Sequence, residues 1–181
     1  MNGFGHGTLR VPIIETARLR LRGHDLEDAE KIAALWSDEL VTRYIGGRPQ
    51  TAEESWARLL RYAGHWRLLG FGYWVLEEKA TGAFVGEAGL SEYRREIVPA
   101  LGSVAEAGWV LAGSKQGLGY ATEAVMAVLG WGREHFGAAP VACMIHPDNR
   151  ASIRVAEKCG FRRREIGIYK GKAALIFERT F

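Results

Sequence analysis

Two cysteines, Cys143 and Cys159, are all that the 181 residues carry, too few for a disulfide framework and without the paired spacing of a metal site. Both lie among apolar neighbours, which favours buried thiols over a chemical role, and no metal is expected. Long apolar runs are missing as well: none approaches the ~18 residues that a membrane span needs. The opening "MNGFGHGTLRVPII" has no charged head followed by an apolar stretch, so no secretory signal is expected and a reducing, cytoplasmic setting is. A strong charge is also lacking. The formal net charge of +3 is too mild to argue for nucleic acid and is compatible with an anionic ligand. Repeats, low-complexity tracts and linkers are absent, which leaves one domain, with residues 1–14 as an N-terminal extension.

What is present reads as an α/β chain. Hydrophobic residues make up 48% and charged residues 25%, the balance of a globular domain able to bury a core without staples. In "ETARLRLRGH" Leu19 and Leu21 alternate with Arg18, Arg20 and Arg22, a half-buried strand. Asp25 caps a helix with Ala29, Ile32, Ala33 and Trp36 at helical spacing. Thr51 with Glu54 three residues on is a capping-box signature for a second helix, to about Leu68. "GYWVLEE", "AFVGEAGL" and "GSVAEAGWVLA" read as successive antiparallel strands. A helix follows from about Leu118 to His135, with Ala121, Ala124, Val125, Val128 and Leu129 as its apolar stripe; Gly130 and Gly132 each cost it ~1 kcal/mol relative to alanine. "PVACMIH" is a strand covered on both faces, "DNRASIRVAEKCG" a short helix closed by Gly160, and the end a hairpin around Lys170-Gly171. The expected fold is a mixed, mostly antiparallel twisted sheet of about seven strands flanked by four helices. One strand–helix–strand unit in it, with strands near 104–111 and 140–145, should be parallel and right-handed.

Between the strand "AGWVLA" and the long helix lies "GSKQGLGYATEA". A P-loop would need Lys after a glycine five places beyond Gly113, where Leu118 stands. A dinucleotide fingerprint begins at Gly117 and Gly119 but meets Thr122 at its third glycine position. General physics remains: unpaired N–H groups and the positive end of a helix attract an anion, and glycines let its bulk approach the backbone. On this ground alone a structural turn and a ligand cradle are equally open.

Gln116-x-x-Gly119-x-Ala121 resembles the signature of the GCN5-related N-acetyltransferases (GNAT superfamily), and Asn149-x-x-Ser152 running to Lys158-x-Gly160-Phe161 resembles the family's second segment. "GYATEA" and "ETARLRLR" are similar to its RimJ/RimL branch, many of whose members acetylate protein α-amino groups. The resemblance runs from about Glu15 to the C-terminus. It implies a GNAT fold and acetyl-CoA as co-substrate, with its pyrophosphate on the N–H groups of Gln116, Gly117, Leu118, Gly119, Tyr120 and Ala121. It further implies that the pantetheine arm pairs with Trp109, Val110 and Leu111, that Asn149 and Ser152 face pantetheine and sulfur, and that Lys158 lies nearer the nucleotide. Each has a plainer rival: Asn149 is also a good N-cap, Lys158 suits a last helical turn, and Arg162, Arg163 and Arg164 suit a solvated strand face.

The implied reaction is direct acyl transfer from a thioester to a neutral amine. Near pH 7.4 an α-amino group is about a quarter neutral and a lysine side chain only ~0.1%, so an α-amine needs little basic help. Glu106 shares strand parity with Val104 and Val110 and is the first candidate base; a structural ion pair with an arginine is the equal alternative. Glu87 is the fallback and a substrate-side residue. The tyrosine that many relatives place seven residues after the asparagine is Ala156 here, so Ser152 is left to hydrogen-bond the sulfur, with Tyr169 as a distant second. Trp36, Tyr44 and Trp74 are candidates for the acceptor pocket. The acceptor is expected to be a protein N-terminus or a small molecule (polyamine, amino acid or drug), and a CoA-binding module without catalysis is the rival class. Neither nucleic acid nor membrane is an expected partner, and monomer and homodimer stay open.

Overall fold

The computed structural model describes residues 11–102 and 105–180. Most of the expected N-terminal extension, and the Val104 of the Glu106 parity argument, lie outside these residues. Residues 11–14 are docked: Ile14 opens strand β1 (Ile14–Glu15), which pairs with β2 (Leu19–Arg22), and the Pro12 carbonyl accepts from Trp74 Nε1 at 2.8 Å.

A 3-10 turn at Leu26–Asp28 leads into α1 (Ala29–Ser37), followed by a short α2 (Glu39–Thr42) and α3 (Ala52–Leu69). Then come β3 (Tyr73–Glu78), β4 (Phe84–Ser91), β5 (Ile97–Val98), β6 (Ala105–Leu111), α4 (Tyr120–Phe136), β7 (Val141–Ile145), α5 (Arg150–Lys158), β8 (Arg162–Tyr169) and β9 (Lys172–Arg179). The strands form one nine-stranded sheet ordered β1-β2-β3-β4-β6-β7-β9-β8-β5. That is two strands and one helix beyond the expected seven and four. The additions are the two-residue β1 and β5 and the four-residue α2, too short to leave a periodic signal. Only β6 and β7 pair in parallel; the other ladders among the described residues are antiparallel.

The helix ends follow the cap chemistry. Thr51 and Glu54 form a reciprocal capping box on α3, and Gly70, at φ 76°, closes it in the left-handed conformation. Helix α4 runs through Gly130 and Gly132 because Ala124, Val125, Val128 and Leu129 bury one continuous face, which outweighs two poor helix formers. The main core lies between the sheet and α4 with α5, and Trp66, Trp74 and Trp131 meet edge-to-face within it at 4.7, 5.6 and 5.2 Å. A second cluster, Ile32, Leu35, Trp36, Val41, Leu59 and Val110, lies beneath α1 and α3. Cys143 and Cys159 are buried, and burial pushes the Cys159 thiol up to about 11.

Arg22, at the end of β2, holds Asp28 with two hydrogen bonds of 2.6 and 2.7 Å, tying the sheet to the start of α1. Burial acts to raise the Asp28 carboxyl, yet the bonds from Arg22 and the backbone hold it at about 2. A carboxyl held below its unfolded pKa stabilises the fold above that unfolded value and loses the contribution as pH falls toward its folded one. Thermal denaturation across pH should therefore show Asp28→Asn about 2 kcal/mol less stable than wild type at pH 7, the gap closing between pH 4 and 2. A gap that stays constant over that window would show the pair to be energetically silent.

Candidate active site

Strands β6 and β7 pair only at Ala105 with Val141 and Glu106 with Ala142. Beyond these, β6 continues against β4 up to Leu111, and β7 against β9 up to Ile145. Each strand is thus held by its other neighbour, and the edge of β6 at residues 107–111 faces a gap. Trp109, Val110 and Leu111, the residues expected to offer backbone groups to a pantetheine chain, lie along that edge. Tyr44, in the loop after α2, packs at a tilt against His146, immediately after β7, with ring centroids 5.3 Å apart. An acceptor-side loop and the end of the cleft strand therefore meet there.

The glycine turn sits where β6 ends. Gly117 and Gly119 have φ of 76° and 86°, left-handed values that any other residue adopts at a cost. Gly119 is the N-cap of α4 and supplies no side-chain cap, so the first-turn N–H groups at Tyr120, Ala121 and Thr122 are left for a ligand or water. The space next to Gly117 is open. Gln116 turns inward and donates to the Leu111 carbonyl at 3.1 Å, shaping the turn with its side chain, while Leu118 is exposed. The buried Tyr120 ring carries its hydroxyl to Glu78, which Thr81, Tyr120 and Lys115 together hold at about 2. Sequence reasoning missed the brace beneath. Glu123 accepts from Thr16 Oγ1 at 2.6 Å, Arg18 N at 2.8 Å and Arg18 Nε at 2.7 Å, and Arg18 also donates to the Leu118 carbonyl at 2.9 Å. "ETARLRLR" and "GYATEA" are thus one contact, visible in sequence only as two separate stretches. A concave turn of bare amides beside an unpaired strand edge suits a diphosphate joined to an amide-bearing arm, so the residues present fit a coenzyme A-type ligand.

On α5, Asn149 is itself the N-cap, its Oδ1 accepting from Ser152 N at 3.1 Å. The Asn149 amide NH2 keeps its donors. Ala156 is fully buried and has no proton to give. Lys158 sits about 13 Å along the helix from Asn149. It lines an open groove of about 690 Å³ with Arg162, Arg163 and Arg179.

The face of the sheet beneath α1 and α3 carries a polar cluster. Glu106, 8% exposed, accepts from Arg95 Nε at 2.5 Å and Nη2 at 2.8 Å, and Arg95 also donates to Tyr169 at 3.0 Å. This is the ion pair that stood against a base role for Glu106. Glu87 is fully buried and accepts from His24 Nε2 at 2.9 Å and Trp36 Nε1 at 2.8 Å. His24 packs at a tilt against Tyr62, 4.8 Å between centroids, and Tyr62 stacks on Tyr73 at 4.7 Å; burial pushes both tyrosine hydroxyls well above their ordinary range. A Cβ on Gly108 would lie 1.9 Å from the Tyr73 hydroxyl oxygen, and one on Gly89 2.8 Å from its ring. These two glycines therefore let the Tyr73 ring lie across β4 and set its hydroxyl over β6. Trp36 belongs to this side, whereas Trp74 is wholly buried in the main core against Trp66 and Trp131. Trp36 and Trp74 do not form a common pocket wall, because strand alternation sends Tyr73 toward Tyr62 of α3 and Trp74 to the opposite face, against Trp131 of α4.

The acetyltransferase (GNAT) domain family matches residues 18–162. YkkB of Bacillus subtilis is 31% identical over 166 residues, 91% of this chain and 93% of that protein. A solved structure from Bordetella pertussis, described as of the GNAT acetyltransferase family, superposes with a TM-score of 0.81 at 31% identity, covering 93% of this chain and 99% of that one. An acetyltransferase from Agrobacterium tumefaciens superposes at 0.80 with 24% identity, covering 93% and 94% of the two chains, which shows the fold alone. The chain belongs to the GNAT acetyltransferase family and is an N-acetyltransferase of that type.

Two substitutions probe the cleft. A carboxylate at Gly119 would sit at the cradle in a strained conformation, its Cβ 3.3 Å from Arg18 Nη2, and Gly119→Asp should weaken acetyl-CoA binding by calorimetry at least about tenfold. Gly108→Ala should lower the melting temperature sharply or force Tyr73 from its place, with a Tyr73→Ala background restoring much of the loss.

Proposed function

We propose that the protein transfers the acetyl group of acetyl-CoA directly to a primary amine at the mouth of the cleft between β6 and β7. The observation that carries this reading is the early separation of the two strands beside a glycine turn and an uncapped helix. Acetyl-CoA supplies the activated acyl group as a thioester. The chain's own work is to hold and orient. Amides from Gln116 to Ala121 and the positive end of α4 receive the diphosphate. The β6 edge at Trp109, Val110 and Leu111 aligns the pantetheine arm, and the Asn149 amide donates to it. The Ser152 hydroxyl is the donor for the departing sulfur, whose thiol pKa near 8.5 makes it a tolerable leaving group without a tyrosine acid.

Proton removal is undemanding on this account. Both carboxylates on the acceptor face already accept two hydrogen bonds, so neither is a free base. An acceptor whose amine is partly neutral near pH 7.4, as a peptide α-amine is, needs no more than that. A more basic amine, such as that of a free amino acid or a lysine side chain, loses its proton to water before attack and reacts through its neutral fraction. We assign Glu106 as the anion that fixes Arg95, and Glu87 as the anion that fixes His24 and Trp36. The RimJ/RimL-like stretches support a protein α-amine, within a cytoplasmic setting; they do not separate it from a small-molecule amine. Ala156 favours one rival, a CoA-binding module without turnover.

Thiol release measured against a panel of amines, with mass analysis of the products, tests the activity. We expect amine-dependent release and an acetylated product; heat on CoA binding with no release under any amine would favour the binding module. For Glu106→Gln we expect a loss of turnover whose ratio to wild type is flat from pH 6 to 9, since Arg95 loses its partner at every pH. Recovery as pH rises would restore Glu106 as the base.

A further inference from the structure

We propose that the amine acceptor carries a carboxylate, a free α-amino acid being the simplest such molecule, and that Arg58 receives it. The inference rests on the acceptor entering beneath α1 and α3, as the proposed transfer requires. That face holds two buried carboxylates and two half-buried arginines, and their pairing is uneven. Glu106 is taken by Arg95. Glu87 is taken by His24 and by the indole N–H of Trp36. Arg58 has no carboxylate at salt-bridge distance among the described residues. Its guanidinium lies flat on the Trp36 ring, 3.5 Å from the centroid. Nε donates to Gln50 Oε1 at 3.2 Å and Nη1 reaches the Tyr62 hydroxyl at 3.4 Å, neither of which is an anion. Its Nη2 makes no hydrogen bond among the described residues.

A half-buried cation with no ion pair within salt-bridge distance among the described residues, and with Glu87 acting on it only from farther off, is the complement of an anion, and a guanidinium favours a carboxylate through its planar fork. The same cluster holds a second unfilled position. His24 Nε2 is paired with Glu87, and Nδ1 is left as a buried nitrogen with no hydrogen-bond partner among the described residues. Tyr62 touches both groups, packing at a tilt against His24 and accepting from Arg58. A guanidinium wanting an anion and a buried ring nitrogen lacking any polar partner match a molecule that has a carboxylate and an amine. A polyamine fits poorly: each acceptor-face carboxylate is already engaged, and its extra charges would meet Arg58. A peptide N-terminus offers an amine with no carboxylate beside it.

The test compares free amino acids, their methyl esters, spermidine and short peptides as acceptors for wild type, Arg58→Gln and Arg58→Lys. The proposal expects free amino acids to exceed their esters in kcat/KM by about tenfold or more, the scale of one charge-assisted hydrogen bond. Arg58→Gln should raise KM for free amino acids by a similar factor, leaving KM for the esters and the affinity for acetyl-CoA unchanged. Arg58→Lys keeps the stem and charge but loses the fork, and should give a smaller rise in KM if Arg58→Gln fails to fold. Calorimetric binding of N-acetyl amino acids to the CoA-loaded protein separates this inference from the activity itself. Binding that Arg58→Gln weakens, with no thiol release under any amine, would uphold the carboxylate site and remove the transfer. Esters, spermidine or peptides used as well as free amino acids, or an Arg58→Gln variant with unchanged KM and product binding, would overturn the carboxylate site while leaving the transfer intact.

Discussion

Strands β6 and β7 bond to each other at Ala105 with Val141 and Glu106 with Ala142 and then part, and the placement of every candidate group follows from that. Backbone N–H and C=O groups left without partners are costly unless something meets them. Here each strand is secured from behind, β6 by β4 and β7 by β9, so the sheet tolerates an opening in its middle. Such an opening selects its occupant: a chain with amides of its own can complete the β6 edge, whereas an apolar chain would leave those groups unmet. The glycine turn lies at the mouth because the β6-to-α4 connection must reverse there, and the left-handed φ of Gly117 and Gly119 turns the amides outward.

The sheet divides the work between its faces. Helices α4 and α5 cover one side and bring the first turn of α4 and the Asn149 cap toward the opening. Helices α1 and α3 cover the other and shelter a layer of paired charges and stacked rings. Tyr73 links the acceptor layer to the cleft strand, and it can do so only because Gly89 and Gly108 have no side chains in its way. The Arg18–Glu123 brace holds the turn in place and brings the Arg18 guanidinium beside Gly119.

How much of this could be read from the residues depended on whether the signal was local. The capping box at Thr51 and Glu54, the stripe of α4, the Lys170-Gly171 hairpin and the parallel unit all rest on neighbours in sequence and emerge as expected. Pairings across the sheet do not. Thr16 and Arg18 with Glu123, His24 with Glu87, and Arg95 with Glu106 join residues that no periodicity connects. In sequence Glu106 reads equally as base and as ion pair, and only the fold brings Arg95 onto it. Trp36 and Trp74 looked alike as large aromatics near the acceptor side, and only the layering of the core tells them apart. Arg58 carried no signal at all: one arginine among several on a helix surface, distinguished by what fails to pair with it.

The central claim is that bare amides at the α4 turn and along the β6 edge hold coenzyme A. Hydrogen–deuterium exchange with and without the coenzyme reads those amides directly. The account predicts slowed exchange at residues 117–122 and 109–111, with little change along Arg162 to Arg164. Protection confined to the arginine groove, with the turn and the β6 edge exchanging as freely as before, would contradict it.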